Sequence, residues 1–341
     1  MKSRARRLLY ARRVKKLPAS LHGLLLLIGL LAVPAEAAAA QDATIVALRF
    51  HEIRAPDGVI LNVVETGPAD APAVIFVHGI GQSMLSWRKQ LEGPLAQRFR
   101  LVALDLRGHG DSGKPAEPAA YREACRWAED IRAVQTRLGL SKPVLVAWSF
   151  GGLVAMHYVR CIGTENLAGL ALVATGAGRL VAPTARGPSA GAQRAGAAAR
   201  DMSAPDLRQN LAGAHAFTSL MTARWPDEAW EAETVAALMR LPAYVRRALG
   251  NEVIGPGGQA LTSNADLAPR LSLPLMVVVG GHDALSDGPA LADAYSATFP
   301  SARVLVYPEA GHSPFAEDST RFDADLATFI AGLSISPRGS H

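Results

Sequence analysis

Short runs of uninterrupted apolar residues punctuate the chain: Val74–Val77, Leu101–Leu104, Val144–Ala147, Leu170–Ala174, Leu275–Val279 and Val304–Val306. Runs of this length are expected of parallel strands covered on both faces. Upstream, Ile45–Ile53 and Val59–Thr66 alternate apolar and polar positions around the turn Ala55-Pro56-Asp57-Gly58, which reads as an antiparallel pair. Helix-like stretches separate the later runs. The pattern predicts an α/β fold, an eight-stranded, mostly parallel, doubly wound sheet spanning 41–176 and 263–335. Ligands bind such sheets beyond the carboxyl ends of the strands. The residues that follow each run are therefore where chemistry is expected.

Residues 177–262 break the rhythm. A Gly/Ala/Pro-rich stretch, Ala182–Ala199, precedes helix-like segments carrying Phe217, Met221, Trp225, Trp230, Leu238, Met239, Leu241 and Tyr244. An insertion between the sixth and seventh strands accounts for this, its apolar residues mostly packing among themselves and a fraction facing a pocket.

Charge and composition change the picture at the amino end. Of the 341 residues, 35 are basic and 30 acidic, a net charge of +5. The first 40 residues hold eight of the basic residues and one acid, leaving 27 basic against 29 acidic in the remainder. Met1–Lys16 is basic, Leu21–Val33 is a short greasy run, and Ala35-Glu36-Ala37 and Ala38-Ala39-Ala40 offer small-residue cleavage sites. This is the pattern of a secretory leader over 1–40, too short in its apolar core for the roughly 20 residues of a membrane span. The expectation is an exported, periplasmic or secreted protein with no stable membrane anchor after cleavage. Without the leader no basic excess remains to displace counterions, so nucleic acid is not an expected partner. Residues 336–341 read as a tail.

The two cysteines, Cys125 and Cys161, fall early in one predicted helix and late in the next. If both helices start at the same rim, their separation along the axes is on the order of 10 Å. A disulfide needs Cα atoms closer than about 7 Å. The expectation is two free, buried thiols. Neither cysteine has metal-ligand spacing around it, so no structural metal is expected.

The most informative segment is Ala147-Trp148-Ser149-Phe150-Gly151, between an apolar run and the helix-like Leu153-Val154-Ala155-Met156. A serine where a buried strand turns sharply into a helix is held in strained backbone with its hydroxyl displayed. Small neighbours, Ala147 and Gly151, let strand and helix cross closely. Three other runs end in polar motifs. Val74–Val77 leads into His78-Gly79-Ile80-Gly81, and Leu275–Val279 into Gly280-Gly281-His282-Asp283. The strand-like Ala302–Tyr307 precedes Gly311-His312-Ser313-Pro314-Phe315. The order is glycine-rich loop, Ser, Asp, His.

In this order and spacing the chain resembles the α/β-hydrolase superfamily over roughly residues 45 to 333. Asp105-Leu106-Arg107-Gly108-His109-Gly110-Asp111-Ser112 is similar to the loop after the fourth strand in the branch holding cofactor-free haloperoxidase-like esterases, epoxide hydrolases, carbon–carbon bond hydrolases and lactonases. The resemblance implies that 177–262 is a cap and that Ser149 is the nucleophile, with His312 its base and Asp283 the orienting carboxylate. Asp287, on the same loop, is the rival to Asp283. The backbone N–H groups of Ile80 and Phe150 are the implied oxyanion donors. His78, Asp105, His109 and Asp111 are expected to shape loops, and His282 to face solvent. Trp148 is expected beneath the elbow or at the pocket, and Trp87 as a pocket wall.

Haloalkane dehalogenases and epoxide hydrolases of this fold carry Asp at the elbow, whereas this chain has Ser149. A serine forms an acyl-enzyme, so the expected reaction is hydrolysis of carboxylic esters with small to medium acyl groups, with no cofactor. The alternatives are a haloperoxidase-like perhydrolase, a lactonase or carbon–carbon bond hydrolase on the same triad, and a non-catalytic hydrolase-like binding module.

Overall fold

The computed structural model describes residues 47–181, 190–250 and 263–333. The expected leader and tail lie outside the described residues, and no described helix is long and apolar enough to cross a membrane. Among the described residues the strands are β1 (Arg49–Arg54), β2 (Ile60–Thr66), β3 (Ala73–Val77), β4 (Arg100–Leu104), β5 (Val144–Trp148), β6 (Gly169–Val173), β7 (Leu275–Gly280) and β8 (Arg303–Tyr307). They form one eight-stranded sheet in the order β1-β2-β4-β3-β5-β6-β7-β8. β2 runs antiparallel to both of its neighbours, and from β4 to β8 every neighbouring pair is parallel.

Burial on both faces explains the uninterrupted apolar runs from β3 to β7, whereas β8 departs from the expectation: it is an edge strand with Val304 and Leu305 half-buried and Val306 exposed. Side chains alternate between two cores along each strand. Ile75, Val77, Leu145, Ala147, Leu170, Leu172, Val277 and Val279 join one cluster. Val74, Phe76, Val144, Val146, Trp148, Ala171, Val173, Met276 and Val278 join the other. The register places Val77 beside Ala147, Trp148 beside Val173 and Gly280 beside Tyr307. The carboxyl ends of the central strands thus line up at one rim.

The helices are α1 (Arg88–Leu91), α2 (Ala119–Arg122), α3 (Ala124–Arg137), α4 (Phe150–Cys161), α5 (Ala190–Met202), α6 (Leu207–Thr218), α7 (Trp230–Arg240), α8 (Ala243–Ala248), α9 (Gly288–Thr298), α10 (Pro314–Glu317) and α11 (Ser319–Ala331). Side-chain caps set several starts, as expected of aspartate ahead of a helix. Asp206 accepts from the Gln209 N–H at α6 and Asp318 from the Arg321 N–H at α11. α5 to α8 lie between β6 and β7; Met202, Ala214, Val235 and Leu238 give α5, α6 and α7 a small apolar cluster of their own, while Val245 and Ala248 of α8 join a sheet core.

The cysteine expectation is overturned. Cys125 and Cys161 form a disulfide with Cα atoms 5.5 Å apart, and Cys125 is exposed. The expectation took α3 and α4 as rods starting at one rim. The long connection 105–123, with α2 inside it, frees the start of α3 from the end of β4, so its first turn meets the last turn of α4.

Candidate active site

Ser149 sits between β5 and α4 with φ 53° and ψ −117°, left-handed backbone that a non-glycine residue adopts at a cost. The turn is held on every side. The Ser149 N–H donates to the Val173 carbonyl at 2.9 Å, and its carbonyl accepts from the Thr175 hydroxyl at 2.7 Å. Gly151 is obligatory, because a Cβ there would lie 2.6 Å from the Val77 carbonyl oxygen.

His312 lies after β8, and its Nε2 is 2.8 Å from the Ser149 Oγ. Its Nδ1 is 2.8 Å from Asp283 Oδ2. A carboxylate only accepts, so Nδ1 carries the proton and Nε2 turns its lone pair to the serine hydroxyl. The Asp283 carboxylate is fully buried but well supplied with donors. Oδ1 accepts from the N–H groups of Leu285 at 2.8 Å and Ser286 at 3.0 Å, while Oδ2 also accepts from the Ser286 hydroxyl. Asp287 is spent elsewhere, accepting from the Ala290 N–H as the N-cap of α9. His282 is exposed.

The loop after β3 closes against the serine. A Cβ on Gly79 would stand 3.3 Å from the Ser149 Cβ and 3.2 Å from the Trp148 ring. His78 shapes this loop from beneath: its Nδ1 donates to the Gly79 carbonyl at 2.7 Å and its Nε2 accepts from the Leu106 N–H at 3.0 Å. Full burial pulls its pKa down to about 4, which keeps the ring neutral and this pair of bonds intact. Ile80 is half-buried, and Phe150 begins α4. Among the described residues neither backbone N–H has a protein acceptor. Unpaired N–H groups at a helix N-terminus, as at Phe150, favour negative charge.

The other candidates are structural. Asp105 accepts from the Met84 and Asp111 N–H groups at 2.8 Å each and from the Asn62 amide at 2.9 Å. His109 is buried, and that burial, with His78 nearby, pushes its pKa down to about 3. Asp111 pairs with Arg240 of α7. Trp148 lies under the elbow, its indole N–H on the His312 carbonyl at 2.7 Å. Trp87 corrects its expectation: it has no exposed surface and is wedged between Phe76 and Phe315, at ring distances of 4.8 and 4.2 Å. It belongs to the core because it closes a one-turn helix, Met84–Trp87, whose Met84, Ser86 and Trp87 are buried. Among the described residues no three His, Cys, Asp or Glu side chains gather as metal ligands would.

The sequence profile of the alpha/beta hydrolase fold matches residues 72–319. The chain belongs to this family. It is similar to a protein described as an aryl esterase from Burkholderia cenocepacia, at 33% identity and a TM-score of 0.71 over 83% of this chain and 98% of that one. The esterase RhEst1 of Rhodococcus sp. ECU1013 is 28% identical, with a TM-score of 0.72 over 84% of this chain and 99% of that one. Epoxide hydrolase 4 of Mus musculus is 36% identical over 104 residues, 30% of this chain. The chain spans 28% of the length of that curated relative.

Sequence reasoning missed Ser286, Thr175 and Glu317. Ser286 had a signal, since an aspartate followed at the third position by serine forms a local turn around its own carboxylate. Thr175 and Glu317 had none, because their partners come from other elements.

Proposed function

We propose that this hydrolase cleaves carboxylic esters of small to medium acyl groups through an acyl-enzyme on Ser149. The observation that carries the reading is the continuous hydrogen-bond chain Ser149–His312–Asp283 behind a serine, where epoxide hydrolases of this fold carry aspartate. In this mechanism His312 Nε2 takes the hydroxyl proton as Oγ attacks the ester carbonyl. Asp283 steadies the imidazolium. The oxyanion is met by the N–H groups of Ile80 and Phe150. Collapse breaks the acyl–oxygen bond, and His312 returns the proton to the departing alcohol. Water, activated by the same nitrogen, then releases the acid and restores the hydroxyl. The likeness to two esterases supports this reading over epoxide opening.

The test is a series of p-nitrophenyl esters from acetate to palmitate, with a fluorophosphonate probe whose attachment is located by mass. Turnover of the short esters and label on Ser149 are expected. No turnover across the series, or turnover with Ser149 unlabelled, refutes the reading.

Export is part of the same proposal. The leader-like first 40 residues support it, and a disulfide fits an oxidising compartment. Protein recovered from the native host should differ by two hydrogens in mass between unreduced and reduced denatured samples, and should begin after the alanine-rich stretch. A reduced, full-length cytoplasmic form would oppose it.

A further inference from the structure

Glu317 ends α10, five residues beyond His312, and is half-buried. Its carboxylate faces in two directions. One oxygen accepts from the Gly311 N–H at 2.9 Å, immediately before His312. The other accepts from the N–H groups of Ala223 at 2.8 Å and Arg224 at 3.3 Å, which belong to the segment between α6 and α7. The seam has further stitches. The Ser313 hydroxyl donates to the Met221 carbonyl at 2.8 Å. Lys89 donates to the carbonyls of Pro226 and Ala316, each at 3.1 Å. Gly311 has no room for a side chain, since a Cβ would lie 2.5 Å from the Ala223 nitrogen. Met221 also touches the loop after β3, where its sulfur is 3.9 Å from the Gln82 amide. The segment Met221–Arg224 therefore spans from the histidine loop to the loop after β3, which carries Ile80.

We propose that Glu317 is a positioning residue, clasping the His312 loop and the Met221–Arg224 segment together so that base and pocket wall are set by one carboxylate. The proposal rests on the serine-hydrolase reading. A carboxylate that supplies acceptors to N–H groups from two separate segments orders both, where two independent loops would each retain their own freedom. Burial raises the Glu317 carboxyl above its ordinary pKa, and its backbone donors oppose that rise. On the same seam the Lys89 ammonium stands 3.4 Å from the Asp227 carboxylate.

Glu317→Gln keeps the shape but turns one acceptor into a donor facing an N–H. The expected result is a loss of kcat of about 10- to 100-fold on p-nitrophenyl acetate. Tm should fall by much less than kcat does, since the packing around the side chain is kept. Glu317→Asp, which keeps the acceptors on a shorter arm, should recover only part of kcat. A role in stability alone would lower Tm and leave kcat, measured well below Tm, unchanged, and that result overturns the proposal. Should Glu317→Gln not fold, amide exchange on the wild-type protein decides instead. The Gly311, Ala223 and Arg224 amides are expected to be protected and to open together; independent opening overturns the clasp. If wild-type Ser149 ignores the fluorophosphonate, the hydrolase reading has failed, and the exchange measurement still judges the clasp by itself.

Discussion

The sheet and the segment inserted between β6 and β7 are built differently, although both border the site. The sheet carries Ser149 and Asp283 after strands buried on both faces, and His312 after the partly exposed edge strand β8. Its polar site groups are each held by several hydrogen bonds. The insertion has a small core of its own and leaves Leu207 and Leu211 of α6 and Trp225 exposed. It reaches into both sheet cores through Leu241, Val245 and Leu249 on one face and Met221 and Trp230 on the other, and its outer rim is tied by polar contacts: Arg88 to Asp227 and Glu233, Arg240 to Asp111, and Tyr244 to the Lys114 carbonyl. Interactions of that kind, at least partly exposed, are individually worth about 0–1 kcal/mol. Ser149, His312 and Asp283 therefore sit on the sheet, while the insertion combines a few buried anchors with weak ties at its rim.

The sharpest way to break this comparison is Ser149→Ala. Ester turnover should fall by about four orders of magnitude or more, with Tm nearly unchanged, since the hydroxyl is displayed rather than packed. Substantial remaining turnover would remove the chemistry from the sheet. Trp87→Ala tests the core beneath the site. It should cost about 3–5 kcal/mol in denaturant unfolding, as large aromatic truncations do. The ranking of p-nitrophenyl esters by chain length should stay unchanged; a changed ranking would return Trp87 to the pocket. Arg88→Ala loosens the insertion. KM should rise a few-fold while kcat and Tm change little, and an equal fall in kcat would show that the seam governs the chemistry too.

A last effect concerns acid stability. Burial depresses the His109 pKa to about 3 from an ordinary 6.5. The unfolded chain takes up that proton first as pH falls. Stability from the neutral ring is therefore complete above about pH 6.5 and drains away toward pH 3. His109→Phe should lose less Tm than the wild type between pH 7 and pH 4. Parallel Tm curves would show that the ring is protonated in the fold.

Much of the sheet was legible because strands buried on both faces leave uninterrupted apolar runs. The predicted run Val144–Ala147 became Val144–Trp148, and Leu275–Val279 became Leu275–Gly280. Ser149, Asp283 and His312 were legible for a related reason: each follows a strand end, and parallel strands bring their carboxyl ends to one rim. The errors came where position depends on the path of a connection. Cys125 and Cys161 looked too far apart because α3 was taken to start at the rim. Trp87 looked like a pocket wall because its loop leads away from the site motif, yet the one-turn helix directs the ring inward.

The amino-acid sequence alone determined the strand pattern, the rim on which polar motifs gather and the serine at the elbow, since periodicity and local sterics are properties of neighbouring residues. The tertiary structure alone decided that Asp287 caps a helix, that the two cysteines join, and that Glu317 reaches across to the insertion. Each of those choices turns on a few ångströms between groups far apart along the chain, and such distances are set by packing and by the course of loops, which local patterns do not encode.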